Sequence, residues 1–269
     1  MDIHGHGTMT AGIAAGTLYG VAKEARIIAV KVLEDNGEGY LTSILLGMSY
    51  ITERMKRETK IPVVINMSFA TGYSPSLNRA VDALTKRNAL TVSAAGNGDY
   101  LRSDVDRDAC SYSPASARTT ITVGAVDSKD NLSSFSNTGN CTDIYAPGVD
   151  IGTIAPNGET ILASGTSFSA PHVSGAAALL YSQAATKGIL NRVTPRDVRN
   201  RILFISTQDI LNGVHDSNNR LLYTDVGIPA GFALDSAVAK ITPKIITKPL
   251  SWCFYSLVLY ATLADIFLF

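Results

Sequence analysis

Two kinds of apolar pattern alternate along most of the chain. ARIIAVKVL (25–33) is almost continuously apolar and β-branched, as a strand buried on both faces requires, whereas Leu41, Ile44, Leu45, Met48, Ile51 and Met55 recur at helical spacing before the charged ERMKRETK closes the segment. The alternation then repeats. PVVINMSF (62–69) predicts a strand, and SPSLNRAVDALTKRN predicts a helix with Ser74 as N-cap, Pro75 in its first turn and a buried stripe of Leu77, Ala80, Val81 and Leu84. ALTVSAAG (89–96), TTITVGAV (119–126) and TDIYAPG (142–148) predict three more strands, and a last helical pattern begins at Thr194-Pro195. Strands alternating with helices predict an α/β fold, a parallel sheet flanked by helices. Several strands run into glycine-bearing loops (GEG, SFATG, AAGNG), and in open α/β sheets ligands bind beyond the strands' carboxyl ends.

The pattern changes after about residue 226. The segment LSWCFYSLVLYATLADIFLF (250–269) is almost wholly apolar, with Asp265 its only charge and Lys244 and Lys248 ahead of it. Twenty residues would just span a bilayer, but an aspartate near the far end is costly there. A membrane anchor, an artefact of gene structure and a packed terminal helix all stay open for this tail. The division is therefore a domain over 1–226 and a tail over 227–269.

Composition narrows the function classes. A net charge of +0 gives no field to recruit nucleic acid or an anionic membrane. The first residues carry neither the basic nor the apolar region of a secretory signal. Of Cys110, Cys141 and Cys253 none forms a CxxC pair, which removes zinc-ribbon and thioredoxin readings. Cys110 and Cys141 flank a compact strand–loop–strand stretch, where either a bridge or two buried thiols would fit.

The densest chemistry is LASGTSFSAPHVSGAAALL (162–180). Ser167 follows Gly165-Thr166 and opens a small-residue helix, whose free N–H groups and positive dipole end favour an oxyanion forming beside the hydroxyl. Ser164 and Ser169 do not sit at that junction, and Ser167 as a plain helix cap is the ordinary alternative. A serine nucleophile needs a base. His6 stands at the start of a second small-residue helix, MTAGIAAG; His172 lies further along the serine's own helix and points elsewhere; His215 sits in a polar loop. His4-x-His6 as a metal pair lacks a completing carboxylate or cysteine cluster. Asn97 ends a strand after Gly96, where its amide could donate to the same oxyanion or simply serve a turn.

In order, HGHGT with AG, VINMS, SAAGN, SYSPASA, SSFSNTG, IYAPG and GTSFSAPHVSG resemble the successive blocks of the subtilisin-like serine proteases, and VLEDNGEGY and NRLLYTD place the resemblance in the proteinase K branch, over roughly residues 3 to 225. The resemblance implies His6 as catalytic base, Ser167 as nucleophile and Asn97 as oxyanion donor. It implies that Ser68, Phe69 and Ala70 pair with an extended substrate on one side, and that Gly37, Gly39 and Tyr40 form a strand on the other. Ala94, Ala95 and Gly96 would floor the first specificity pocket. Cys110 and Cys141 match a pair that is a disulfide in some members, and Asp143 with the carbonyls of Arg118 and Thr120 matches a structural calcium site. No cofactor is implied for the chemistry itself. The implied protein is a secreted monomeric endopeptidase acting on protein or peptide substrates.

The sequence departs from the family in one main respect. The triad aspartate belongs to an Asp-x-Gly strand upstream of the histidine, and only five residues precede His6. Asp2 matches a loop position instead. The expectation is a sheet lacking that strand, with either unpaired backbone between 25–33 and 62–69 or a sheet that closes up, a chain that is unstable or aggregates, and impaired catalysis. Met9 and Ala70-Thr71 are smaller departures, at a usual histidine and a usual glycine pair. A non-catalytic binding protein and a membrane-tethered protease are the alternative readings.

Overall fold

The computed structural model describes residues 2–98, 107–224 and 264–269. In chain order the elements are α1 (His6–Ala15), β1 (Arg26–Ala29), α2 (Leu41–Arg57), β2 (Val63–Met67), β3 (Thr71–Gly72), α3 (Pro75–Lys86), β4 (Ala89–Ala94), β5 (Tyr112–Ser113), β6 (Ile121–Val126), β7 (Ile144–Pro147), β8 (Ile151–Ile154), β9 (Thr160–Ala163), α4 (Thr166–Thr186), α5 (Pro195–Ile205), β10 (Thr207–Gln208), β11 (Arg220–Leu221) and β12 (Asp265–Leu268). The main sheet has the order β1-β12-β2-β4-β6-β7-β11-β10. All its pairings are parallel except β10 with β11.

Every residue of β2, β4 and β6 is buried, because helices cover both faces of the sheet. On one face Ala14 of α1, Val173 and Ala177 of α4 and Val198 and Ile202 of α5 pack on Val64, Val92 and Val123. On the other, Ile44, Met48 and Ile51 of α2 and Leu77 and Val81 of α3 pack on Val63, Ile65 and Met67. Ser74 caps α3 as the sequence predicts, its hydroxyl accepting from the Leu77 N–H at 3.3 Å with Pro75 in the first turn. The β8–β9 hairpin is not legible in the apolar pattern. Leu162 is exposed, and the Asn157-Gly158 turn is held by side-chain contacts between Asn157 and Glu159 rather than by a core.

One expectation is overturned. The position between β1 and β2 is filled by β12, so the sheet has no row of unpaired backbone there. Alternate residues of this short segment suit both cores. Ala264, Ile266 and Leu268 join the α1/α4 side and Phe267 and Phe269 join the α2 side. The reason for an unstable, gapped sheet falls away with it. Most of the 227–269 tail lies outside the described residues, and so does the anchor reading of 250–263. Among the described residues no helix is long and apolar enough to cross a membrane.

Candidate active site

Ser167 lies in the first turn of α4, after Gly165, whose φ of 150° suits a residue without a Cβ. The helix continues through Pro171, which has no N–H for the Ser167 carbonyl four residues back. That carbonyl instead accepts from the Ser68 hydroxyl at 2.7 Å, and the Ser167 hydroxyl donates to the Ser68 carbonyl at 3.1 Å. The start of α4 is thus stitched to the end of β2. Behind Ser68 the Asn66 amide donates to the Ser68 hydroxyl and accepts from the Ser174 hydroxyl, both at 2.9 Å. Sequence reasoning missed Asn66 and Ser174. Their signal was spacing: Asn66 lies two residues before Ser68 on one strand face, and Ser174 two helical turns after Ser167.

His6 is the first residue of α1, and its ring lies 5.6 Å from the ring of Phe168, the residue after Ser167. Asp2 holds this helix start. Its carboxylate accepts from the Gly5 N–H at 3.0 Å, the Thr8 N–H at 2.7 Å and the Thr8 hydroxyl at 2.8 Å. Burial works against the Asp2 charge, but these bonds hold its pKa below the usual carboxylate range. Burial first, and then the neighbouring His4, lower the His6 pKa, with Asp2 opposing. The imidazole is therefore biased to the neutral form that a general base needs. Among the described residues no carboxylate is hydrogen-bonded to His6. A cleft of about 500 Å³ opens beside it, with Lys31, Leu268 and Phe269 among its lining residues.

Small residues set the spacing between the two helices. A Cβ on Gly175 of α4 would stand 2.6 Å from the Val21 Cβ and 2.9 Å from the Ala14 carbonyl oxygen. Gly175→Ala is expected to push α1 from α4 and destabilise the fold by about 1–3 kcal/mol. A urea midpoint within error of the parent protein would contradict this.

Asn97 is exposed just beyond β4. Its carbonyl oxygen accepts from the Thr166 N–H at 2.9 Å and the Thr166 hydroxyl at 2.8 Å. This fixes the amide nitrogen on the side of Gly165, 3.3 Å from where a Cβ there would lie. Ala94, Ala95 and Gly96 are buried beneath it, and the Thr166 hydroxyl also accepts from the Gly96 N–H at 3.2 Å. Beside them Ser68 is buried, Phe69 half-buried and Ala70 exposed, so the chain emerges at the surface as an edge. The other flank is formed by the loop ahead of α2. Gly37 is half-buried and residues 38–40 are exposed, after a turn at 35–36 in which the Glu34 N–H donates to the Glu38 carbonyl. Gly37, at φ 82°, is where the backbone passes His4, and a Cβ there would come 2.6 Å from the imidazole Nε2.

Asp143 does not fit the calcium ion that the resemblance implied. One of its oxygens takes the Arg199 guanidinium at 2.6 Å and the other takes the Thr122 N–H at 3.0 Å. Arg220 adds a second positive charge nearby. Burial raises the carboxyl's pKa despite these partners. A divalent cation would have to displace a guanidinium already seated there. Cys110 and Cys141 are joined as a disulfide.

His172 packs its ring against α4, and its Nδ1 lies 2.8 Å from the Phe168 carbonyl. Burial pushes its pKa down to about 4, with the bond to Phe168 opposing. The unfolded chain therefore binds an extra proton between roughly pH 6.5 and pH 4. Stability from this residue is present above that window and lost as pH falls through it. Part of the residue still meets solvent, so the expected loss is about 1–2 kcal/mol. Urea midpoints measured between these pH values should drop, and His172→Asn should flatten the drop. An unchanged slope would refute the assignment.

Fold and site together define an α/β protein with a serine in the first turn of one helix, an imidazole at the start of a second helix and an amide just beyond a strand. A family profile described as the subtilase family matches residues 1–220, and the chain belongs to that family. It is 39% identical over 227 residues to a subtilisin-like protease of Coccidioides posadasii, with 84% of this chain and 54% of that protein covered. It is 40% identical over 227 residues to subtilisin-like protease 4 of Arthroderma benhamiae, with 84% and 53% covered. The chain thus spans about half the length of the curated relatives it matches. Among solved structures it is similar to a cold-adapted subtilisin-like serine proteinase, at a TM-score of 0.74 and 34% identity, covering 83% of this chain and 76% of that one.

Proposed function

We propose that this domain is a serine-type endopeptidase of the proteinase K-like kind, acting on extended protein or peptide substrates. The observation that carries the reading is the junction of α4 with β2 and Asn97. It places a hydroxyl, a helix N-terminus and an amide around one point, beside the edge formed by Ser68, Phe69 and Ala70. In the reaction Ser167 attacks the scissile carbonyl while His6 takes its proton and later returns it to the leaving amine. The Asn97 amide and the Ser167 N–H hold the oxyanion. The substrate adds as a strand along 68–70, with its side chain seated over Ala94, Ala95 and Gly96. The chemistry needs no cofactor. The disulfide supports an extracellular setting.

The Ser167 hydroxyl donates to the Ser68 carbonyl, so it must rotate to reach a base, and no described carboxylate orients the His6 ring. That same geometry favours a second reading, a peptide-binding protein that has kept the groove.

A fluorophosphonate probe separates the two. It should bond covalently to Ser167 with loss of fluoride, fail with Ser167→Ala, and react about 10²-fold more slowly with His6→Ala. A folded parent protein that binds peptide but never labels would refute the endopeptidase and leave the binding protein.

A further inference from the structure

We propose that the β1–β2 position is a strand-acceptor site, and that its occupation by residues 264–269 sets the substrate edge and the nucleophile. The occupant is recognised by three features. First, it bonds on both sides in parallel register, Asp265 to Leu268 against Arg26 to Ala29 and against Val63 to Asn66. Further backbone bonds run from Arg26 N–H to the Ala264 carbonyl, from Val30 N–H to the Leu268 carbonyl, and from Asp265 N–H to the Pro62 carbonyl. Second, the Arg26 guanidinium grips both oxygens of the buried Asp265 carboxylate at 2.6 Å, across 239 positions of sequence, while also meeting Glu58. Third, its side chains alternate between the two cores, as described above. The site therefore takes an extended apolar segment headed by a carboxylate.

Its occupant is the sole partner of β1, which is otherwise attached to no strand of the sheet among the described residues. It also reaches the active site. The Phe269 N–H donates to the Asn66 carbonyl at 3.2 Å, and the Phe269 ring lies 6.1 Å from that of Phe69 in the substrate edge. Asn66 in turn holds Ser68, which holds Ser167. Leu268 and Phe269 also help line the cleft beside His6. Filling or vacating the acceptor site would therefore act on both the nucleophile and the base.

The test uses the full chain carrying Ile266→Lys and Leu268→Lys, which puts two charges into the α1/α4 core and should expel the segment. Amides of Arg26–Ala29 and Val63–Met67 should then exchange about tenfold faster or more. A peptide of residues 264–269 behind a tri-lysine leader, fluorescently labelled, should bind this variant, restore the protection and leave the filled parent protein alone. The same peptide with Asp265→Lys should bind about 100-fold more weakly, because Arg26 would face a like charge. Unchanged exchange in the variant, or equal binding of the two peptides, would overturn the proposal. If the variant stays insoluble, co-dilution from denaturant with the peptide should recover it, and failure to do so also counts against the acceptor site. The link to the nucleophile rests on the endopeptidase reading and is followed through probe labelling of Ser167. Restored protection without labelling in either the rescued variant or the parent protein upholds the acceptor site and sinks the hydrolase reading, whereas a parent protein that labels beside a rescued variant that does not would overturn the link to the nucleophile.

Discussion

Asn97→Ala is expected to slow acylation of Ser167 about 10²–10³-fold, a size borrowed from the corresponding donor in subtilisin, a relative of this chain. The amide has two tasks that one substitution would confuse. Its oxygen accepts from the Thr166 N–H and hydroxyl and so caps the start of α4, while the endopeptidase reading assigns its nitrogen to the oxyanion. Asn97→Asp separates them. A carboxylate keeps both bonds to Thr166 but removes the donor and sets a negative charge where the oxyanion forms. Asn97→Asp should therefore melt near the parent temperature yet acylate at least as slowly as Asn97→Ala. Thr166→Val, by contrast, keeps the N–H bond to Asn97 but loses both hydroxyl bonds, the one to Asn97 and the one from the buried Gly96 N–H, and should act mainly on stability, by about 2–3 kcal/mol. Labelling by Asn97→Asp at the parent rate would remove Asn97 from the oxyanion site and reduce it to a helix cap.

Breaking the disulfide is expected to lower stability by about 3–4 kcal/mol. Cys110 and Cys141 are 31 positions apart, and a loop of that length removes about this much entropy from the unfolded chain. Against a total of about 5–15 kcal/mol, such a loss leaves a weak fold. The enclosed chain also supports the active site. It contains β6, and Asn137 within it donates to the Ala95 carbonyl at 3.0 Å. The Asn137 N–H donates to the Gly96 carbonyl and the Gly98 N–H to that of Phe135, both at 2.9 Å. Loosening this loop should free Asn97 along with it. Cys110→Ser/Cys141→Ser, and the parent protein unfolded and refolded in dithiothreitol, should share a lowered urea midpoint and a slower acylation of Ser167. A midpoint unmoved by reduction would show that the covalent link contributes nothing beyond the packing of Cys141 on Ala95, Ala109 and Ala115.

Much of this was legible in the chain because the legible parts are local. A strand covered on both faces must be apolar throughout, and a helix covered on one must repeat its apolar residues every three to four positions. That is why β2, β4, β6, α2 and α3 could be placed from pattern alone. The helix starts carrying His6 and Ser167 were visible for a similar reason, since a glycine turn followed by small residues is a short-range signal. The hidden parts were long-range or polar. Nothing in the apolar pattern marks Asn66 or Ser174 as the support beneath Ser68. Nor does it show that Arg199 holds Asp143, because a guanidinium on α5 meets a carboxylate beside β7 only once the layers have stacked.

The sequence by itself determined the α/β class and the main strand and helix positions, because each rests on residues close together in the chain, while the roles of Ser167, His6 and Asn97 came only as what the resemblance of the ordered blocks implies. Tertiary structure alone decided what fills the sheet between β1 and β2. Asp265–Leu268 is too short to declare itself inside the apolar 250–269 tail, for which an anchor, an artefact of gene structure and a packed helix all stayed open. Only the open backbone of two neighbouring strands, the two cores above and below, and the buried charge of Asp265 meeting Arg26 give it a unique place.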